Sequence, residues 1–420
     1  MTISRRFFLK GGGVAMLGFS AMPSFLTRAL QAATGPSKKV LVVIFQRGAM
    51  DGLNAVVPYG ERSYYAMRPS IAIPAPNGGP ATAGAALNLD GFFGLHPSLE
   101  PLVPLFRDKQ LAIVHAAGSP DNSRSHFDAQ DYMESGTPGV KSTEDGWLNR
   151  YLQKQPDENA TPFRAVAIGS QMPRTLRGSV PALAIPDIRQ FQVLAPVAVS
   201  GAMEGGFEAL YAQTVDQALH GTGQETFEAV EMLKKVREQL YIPGNGAEYP
   251  KGKVGQTLQQ VAQLIKADIG VEVAFVDIGG WDHHVNEGGV QGQLGNILRE
   301  FGGTLAAFHT DLGAKIADVT VVTMSEFGRT AAENGNRGTD HGHANCMFAF
   351  GGDVRGGKVH GRWPGLNRAQ LYEGRDLAVT TDFRTVLGEV VSRHLGSTDM
   401  SYVFPGFRYD PKQALGLIRT

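Results

Sequence analysis

Asp282, His283 and His284 stand in consecutive positions after an apolar run and two glycines, a combination that core packing does not call for. A loop of that composition offers carboxylate oxygen and imidazole nitrogen together, and the glycines let the backbone bend until the donors converge on one divalent ion. Comparable chemistry recurs at four other places. Asp51 lies in the glycine-flanked turn between Gly48 and Gly52, and the stretch after Gly118 brings Ser123, Arg124, Ser125 and His126 together. A serine at a helix start beside a cation and an imidazole favours an alkoxide or an anionic substrate. Glu326 follows Ser325, and Asp340, His341 and His343 come one loop later. Each has a plainer alternative: Asp51 as turn former or helix cap, Ser123 or Ser125 as the cap of a helix through Gln130 and Met133. His341 and His343, at alternate positions, face one site only if the chain is extended there.

These donors gain weight from what precedes them. Lys39–Phe45, Leu111–His115, Arg164–Ile168, Val271–Val276 and Val319–Thr323 are short, mainly apolar runs, rich in β-branched residues and closed by polar or glycine-rich residues. Such runs suit strands buried on both faces. Between the last two, Leu294, Ile297, Leu298, Phe301, Leu305, Phe308 and Leu312 recur at the three- and four-residue spacing of one helical face. The expected fold class is therefore α/β, a mostly parallel sheet covered by helices on both faces, with ligands gathering beyond the carboxyl ends of the strands. Residues from about Gly206 to Leu240 read as helical until Pro243 and Gly244 break them, which predicts a helical insertion at about 200–250 within a single domain spanning 34–420. Five of the eleven histidines (His126, His283, His284, His341 and His343) follow predicted strand ends. His220, His309 and His394 fall in predicted helices and His96 before one, which suits surface or packing roles. His115 and His360 carry no assignment.

The first residues read as an address rather than as fold. Arg5-Arg6 precedes a glycine-diluted apolar stretch ending near Ala32-Ala33, the pattern of a twin-arginine export signal over 1–33. The partner expected there is the twin-arginine translocation machinery, and the location periplasmic or otherwise extracytoplasmic. The glycines and Pro23 leave the stretch short of the roughly 20 apolar residues of a membrane span, and no later segment is apolar enough to span. Lys+Arg 39 against Asp+Glu 40 gives a net charge of −1 and no electrostatic reason to expect nucleic acid or an anionic membrane. One cysteine, Cys346, excludes an internal disulfide, which suits folding in a reducing compartment before export. The chain has no GxGxxG after a strand and no CxxC, which argues against a redox enzyme.

The segments Arg47–Asn54, Ser123–Asp131, Gly279–His284, Ser325–Thr330 and Gly338–Gly342 together resemble the domain of unknown function 1501 family, grouped with the alkaline phosphatase and sulfatase superfamily. The resemblance covers the whole mature chain and implies an alkaline-phosphatase-like α/β domain carrying one or two divalent metal ions. On this chain it implies Asp51 as a metal ligand of the first strand and Ser125 or Ser123 as nucleophile. Asp282 with His284 or His283 would form a ligand pair, and His341 or His343 the last ligand. Ser325-Glu326 stands where the superfamily presents Asp-His, so His126 or a second histidine of a pair compensates, or one ion binds. Cys346 lies away from the position of a sulfatase nucleophile. The expected function is an exported metal-dependent hydrolase of a phosphate or sulfate ester or a related anionic ester, small or polymeric. Arg47, Arg124 or Arg329 would hold the non-bridging oxygens. The alternative is a non-catalytic envelope binding or assembly protein on the same scaffold.

Overall fold

The computed structural model describes residues 38–76, 84–188, 232–233 and 241–419. The expected leader over 1–33, and His220 and most of the expected insertion up to residue 240, lie outside the described residues. Nine strands form the main sheet: β1 (Val40–Gln46), β2 (Leu111–Gly118), β3 (Ala165–Ile168), β4 (Leu183–Ile185), β5 (Val273–Ile278), β6 (Val319–Met324), β7 (Asn345–Gly351), β8 (Lys358–His360) and β9 (Thr381–Asp382). Their order is β8-β2-β7-β6-β1-β5-β3-β4, with β9 also paired to β2. All neighbours run parallel except at β7, which is antiparallel to both β2 and β6.

Alternation along the central strand shows why the sheet needs cover on both sides. Val40, Val42 and Ile44 of β1 enter one core, where α3 (Lys253–Lys266) and α4 (Gln293–Leu312) contribute Leu258, Val261, Leu298, Phe301 and Phe308. Leu41, Val43 and Phe45 enter the other, with Trp147 and Leu148 of α2 (Trp147–Gln153) and Val386 and Val390 of α5 (Phe383–Arg393). Successive side chains of a strand point to opposite faces, so an unbroken apolar run is stable only between two helical layers. This is the α/β architecture that the sequence predicts. Residues 241–250 are irregular, in line with the break expected at Pro243 and Gly244. Among the described residues no helix is long and apolar enough to cross a membrane.

The reversal of β7 decides where the chemistry collects. Phe45 is in register with Asp277 and with Met324, so β1, β5 and β6 end at one edge of the sheet. Because β7 runs the other way, its beginning lies at that same edge, with Asn345 opposite Ala117 near the end of β2. The loops after β1, β2 and β5 and the loop that joins β6 to β7 therefore meet. Helix α1 (His126–Ser135) starts in that crowd and stops at Gly136, whose φ of 68° is the left-handed conformation that glycine adopts freely.

Candidate metal centre

Three imidazoles converge on one carboxylate at this edge. His284 Nε2 and His341 Nε2 lie 3.0 Å apart, and they stand 3.1 and 3.4 Å from Asp282 Oδ1. His126 Nε2 approaches the other oxygen, Asp282 Oδ2, at 3.5 Å. One ligand atom each from His126, Asp282 and His341 falls within 4.8 Å of the others, close enough to hold one metal ion.

The far nitrogen of every ring is fixed by an acceptor. His126 Nδ1 is 2.8 Å from Glu326 Oε1, His284 Nδ1 is 3.3 Å from Asp340 Oδ1, and His341 Nδ1 is 2.8 Å from the Arg124 carbonyl. Each acceptor places the proton on Nδ1 and leaves the lone pair on Nε2, aimed at the shared point. Metal-bound histidines are oriented in this way by carboxylates and carbonyls. His126 Nε2 is also closed off from solvent with no hydrogen-bond partner. A buried polar atom without a partner is costly, and here the missing partner lies where the other donors point. The residues present thus fit a divalent ion with mixed nitrogen and oxygen ligands.

Charge around the cluster is arranged by buried groups. Burial pushes the Glu326 carboxyl up, but hydrogen bonds from His126, Gln130 and the Gly48 N–H outweigh it and hold the group below its usual range. The same hydrogen bond raises His126. Burial likewise works against Asp282, and the Arg329 guanidinium beside it, with His284 and His126, keeps it low. Burial, aided by the charges of His126 and Arg329, depresses His341 and so favours its neutral, ligating form. The ring of Phe327 backs the cluster, its centroid 5.0 Å from those of His126 and His341.

Not every residue singled out from the sequence arrives at this point. Asp51 does not join the cluster: it caps the helical turn Gly52–Ala55, accepting the Leu53 N–H, and both its oxygens engage the fully buried Arg68. A guanidinium thus occupies the carboxylate that the resemblance assigns to metal. His343 diverges from His341 and stacks on Tyr372, centroids 4.3 Å apart, because alternate side chains of the extended segment face opposite ways. His283 turns inward, 7% exposed, with Nδ1 unpartnered. Glu326 and Asp340 sit behind imidazoles and orient them. Ser123 Oγ accepts the Ser125 N–H, closing a tight turn. Ser125 is the N-cap residue of α1, exposed, and its side chain makes no capping bond.

The three candidate arginines are committed to the protein. Arg47 donates to Asp277, Gln130 and Glu134, and Arg124 to Asp376 and Glu373. Arg329, buried, donates to the carbonyls of Gly48, Ala49, Trp281 and Thr339 and to Asp282 Oδ1 at 2.6 Å. It ties three loops around the cluster instead of facing a substrate. Cys346 is fully buried in β7 and burial pushes its thiol far up, which removes it from nucleophilic chemistry. Sequence reasoning passed over Gln130, Arg68 and Glu287. Only Glu287, three residues beyond His284 in the same glycine-rich loop, carried any local signal.

The sequence matches the family described as "Protein of unknown function (DUF1501)" over residues 38–404. No curated protein matches it. Among solved structures it is similar to the C-terminal periplasmic domain of EcEptC from Escherichia coli in complex with Zn, at 11% identity and a TM-score of 0.39, covering 92% of this chain and 93% of that one. It is also similar to the PsFucS1 sulfatase from Pseudoalteromonas sp., at 13% identity and a TM-score of 0.38, covering 94% of this chain and 76% of that one.

Proposed function

The chain belongs to the DUF1501 family, and from that premise we propose that it is an exported metal-dependent hydrolase of a phosphate or sulfate ester or a related anionic ester. The observation that carries the proposal is the convergence of the ε-nitrogens of His126, His284 and His341 on Asp282, each ring fixed from behind and one nitrogen buried without a partner. These four residues would hold the ion, which would supply positive charge to offset the negative charge that develops on the ester oxygens.

The remaining roles fall to the chain's own groups. The first-turn N–H groups of α1 have no intrahelical acceptors, so its N-terminus offers a positive end to an oxyanion beside His126. Ser125, at that terminus, presents a free hydroxyl for attack or for positioning water. Arg329 holds Asp282 in place while its charge keeps the carboxylate ionised.

A specific observation favours a second reading, a binding or assembly protein that retains an ion without catalysis. Among the described residues no base is hydrogen-bonded to Ser125 Oγ, and Arg47, Arg124 and Arg329 are all engaged elsewhere.

Metal analysis of the mature protein, purified without chelator, tests the centre. Near-stoichiometric divalent metal should be present and should be lost from Asp282→Ala/His284→Ala with the circular dichroism spectrum retained. Full metal content in that variant would sink the assignment. Ser125→Ala then separates the readings: an enzyme using that hydroxyl loses several orders of magnitude in ester hydrolysis, whereas a binder keeps its metal and its ligand affinity.

A further inference from the structure

His126, Gln130 and Glu134 recur at four-residue spacing and so share one face of α1. His126 belongs to the candidate centre. The other two lie beyond it along the helix, and Arg47, from the loop after β1, holds both, Gln130 Oε1 at 2.9 Å and Glu134 Oε1 at 2.8 Å. Gln130 Nε2 in turn donates to Glu326 Oε1 at 2.8 Å, the oxygen that also receives His126 Nδ1 at 2.8 Å. We propose that Gln130 is a positioning residue of the centre and that Arg47 anchors it, so that two side chains remote from the ε-nitrogens set how firmly His126 presents its own. The inference rests on the metal-centre reading above.

The direction of every link is forced. A guanidinium has donors only, so Arg47 meets the amide oxygen of Gln130. An ionised carboxylate has acceptors only, so Glu326 meets the amide nitrogen and the N–H of the imidazole. The amide is therefore gripped at both ends in one orientation, and a flipped amide would satisfy neither neighbour. Glu326 is 1% exposed, and among the described residues its Oε1 has three donors: Gln130, the Gly48 N–H and His126 itself. A buried carboxylate that loses a donor turns toward those that remain, and that motion reaches the ring it holds.

Helix formation does not ask for glutamine at this position, since methionine or leucine serves an α-helix as well. Arg47 has a second task, because it also binds Asp277 in β5 and Glu134 and so ties β5 to α1. Its effect on the centre through Gln130 must be separated from that clamp. The outer end of the chain is open to such a test: Arg47, Gln130 and Glu134 line an open cavity of about 470 Å³ together with Asp131, Arg174 and Asp277. A small planar cation can enter there once the Arg47 side chain has been removed.

Zinc affinity of the mature protein, read by competition with a chromogenic chelator, carries the test. Gln130→Met keeps the length and helix propensity of the side chain and removes both hydrogen bonds, and Arg47→Ala removes the anchor. Each should weaken zinc binding about 3–10-fold, part of the worth of one hydrogen bond to a charged group. Arg47→Ala added to Gln130→Met should weaken it no further, because the anchor acts through the amide. Methylguanidinium should restore the affinity of Arg47→Ala and leave that of the double variant unchanged, a pattern that a general loss of stability does not produce. Unaltered zinc affinity in Gln130→Met overturns the positioning role and leaves the metal centre standing. Additive losses in the double variant, or a rescue that persists without Gln130, overturn the route through the amide. Gln130→Met leaves the ion pairs of Arg47 with Glu134 and Asp277 in place, so it decides the positioning role even where Arg47→Ala fails to fold. A wild type that holds no zinc overturns the underlying reading, and this inference with it.

Discussion

At the scale of single residues, the centre is governed by what stands behind the imidazoles. Glu326 is the clearest case: its Oε1 takes hydrogen bonds from His126, Gln130 and the Gly48 N–H, each at 2.8 Å. A carboxylate on Nδ1 both orients the ring and raises the basicity of the opposite nitrogen. Glu326→Gln keeps the shape and removes the charge, so zinc affinity measured by competition with a chromogenic chelator should fall by about 10–100-fold. Unchanged affinity would mean that His126 is not a ligand. The imidazoles themselves were legible, because histidines clustered after strand ends with acidic neighbours have no packing rationale. Their partners were not, because Gln130, the Arg124 carbonyl and Glu326 meet only through the fold. Asp51 shows the reverse case: the resemblance assigns it to metal, yet both its oxygens meet Arg68, a residue with no local signature.

At the scale of elements, the centre depends on loops that touch through their backbones. A methyl group at Gly338 would lie 2.4 Å from the His284 carbonyl carbon and oxygen and 2.7 Å from the His283 oxygen. Backbone cannot move aside as a flexible side chain can. Gly338→Ala should therefore cost roughly 1–3 kcal/mol of stability and weaken zinc binding by displacing His284. Gly335→Ala, in the same excursion but with nothing within 4 Å, should do neither. Thermal unfolding and the same competition assay read both variants, and equal effects would show that the loops yield. Strands β1, β2, β3, β5 and β6 were legible from their apolar runs and α4 from its spacing, whereas the short β4, β8 and β9 carried no such run. The direction of β7 was not, since Cys346–Phe350 reads alike either way and orientation is fixed by pairing with β2 and β6.

At the scale of the whole molecule, a buried charge network beneath the centre couples the site to stability. Arg68 and Glu287 are both 0% exposed and Asp51 is 1% exposed. The Arg68 guanidinium holds Asp51 below its usual range despite burial. Burial first, and the negative charge of Asp51 next, push the Glu287 carboxyl well above the usual carboxylate range. A proton on Glu287 then serves the hydrogen bond to Asp51, while Oε2 accepts from Thr339 Oγ1 at 2.8 Å. The folded state holds this proton over a pH range in which the unfolded chain has released it, so stability falls as pH rises from about 4.5 toward the folded-state value. Glu287→Gln keeps both contacts without the titration. Its stability relative to wild type should climb as pH rises above about 5, by up to about 1.4 kcal/mol per unit, in urea unfolding. A difference that stays flat with pH would mean that Glu287 is ionised in the fold.

The reversed strand also bears on the order in which the centre comes into being. Because β7 turns back beside β6, the segment Ser325–Ala344 leaves and re-enters the sheet at one edge and can close on itself as a hairpin does, with little chain to organise. His341, Asp340 and Arg329 therefore arrive through local closure. His126 and Asp282 wait for distant strands to find β1, the slower kind of event. A chain still folding would present this last loop first and the complete set of donors only at the end, so occupancy of the centre marks a finished fold.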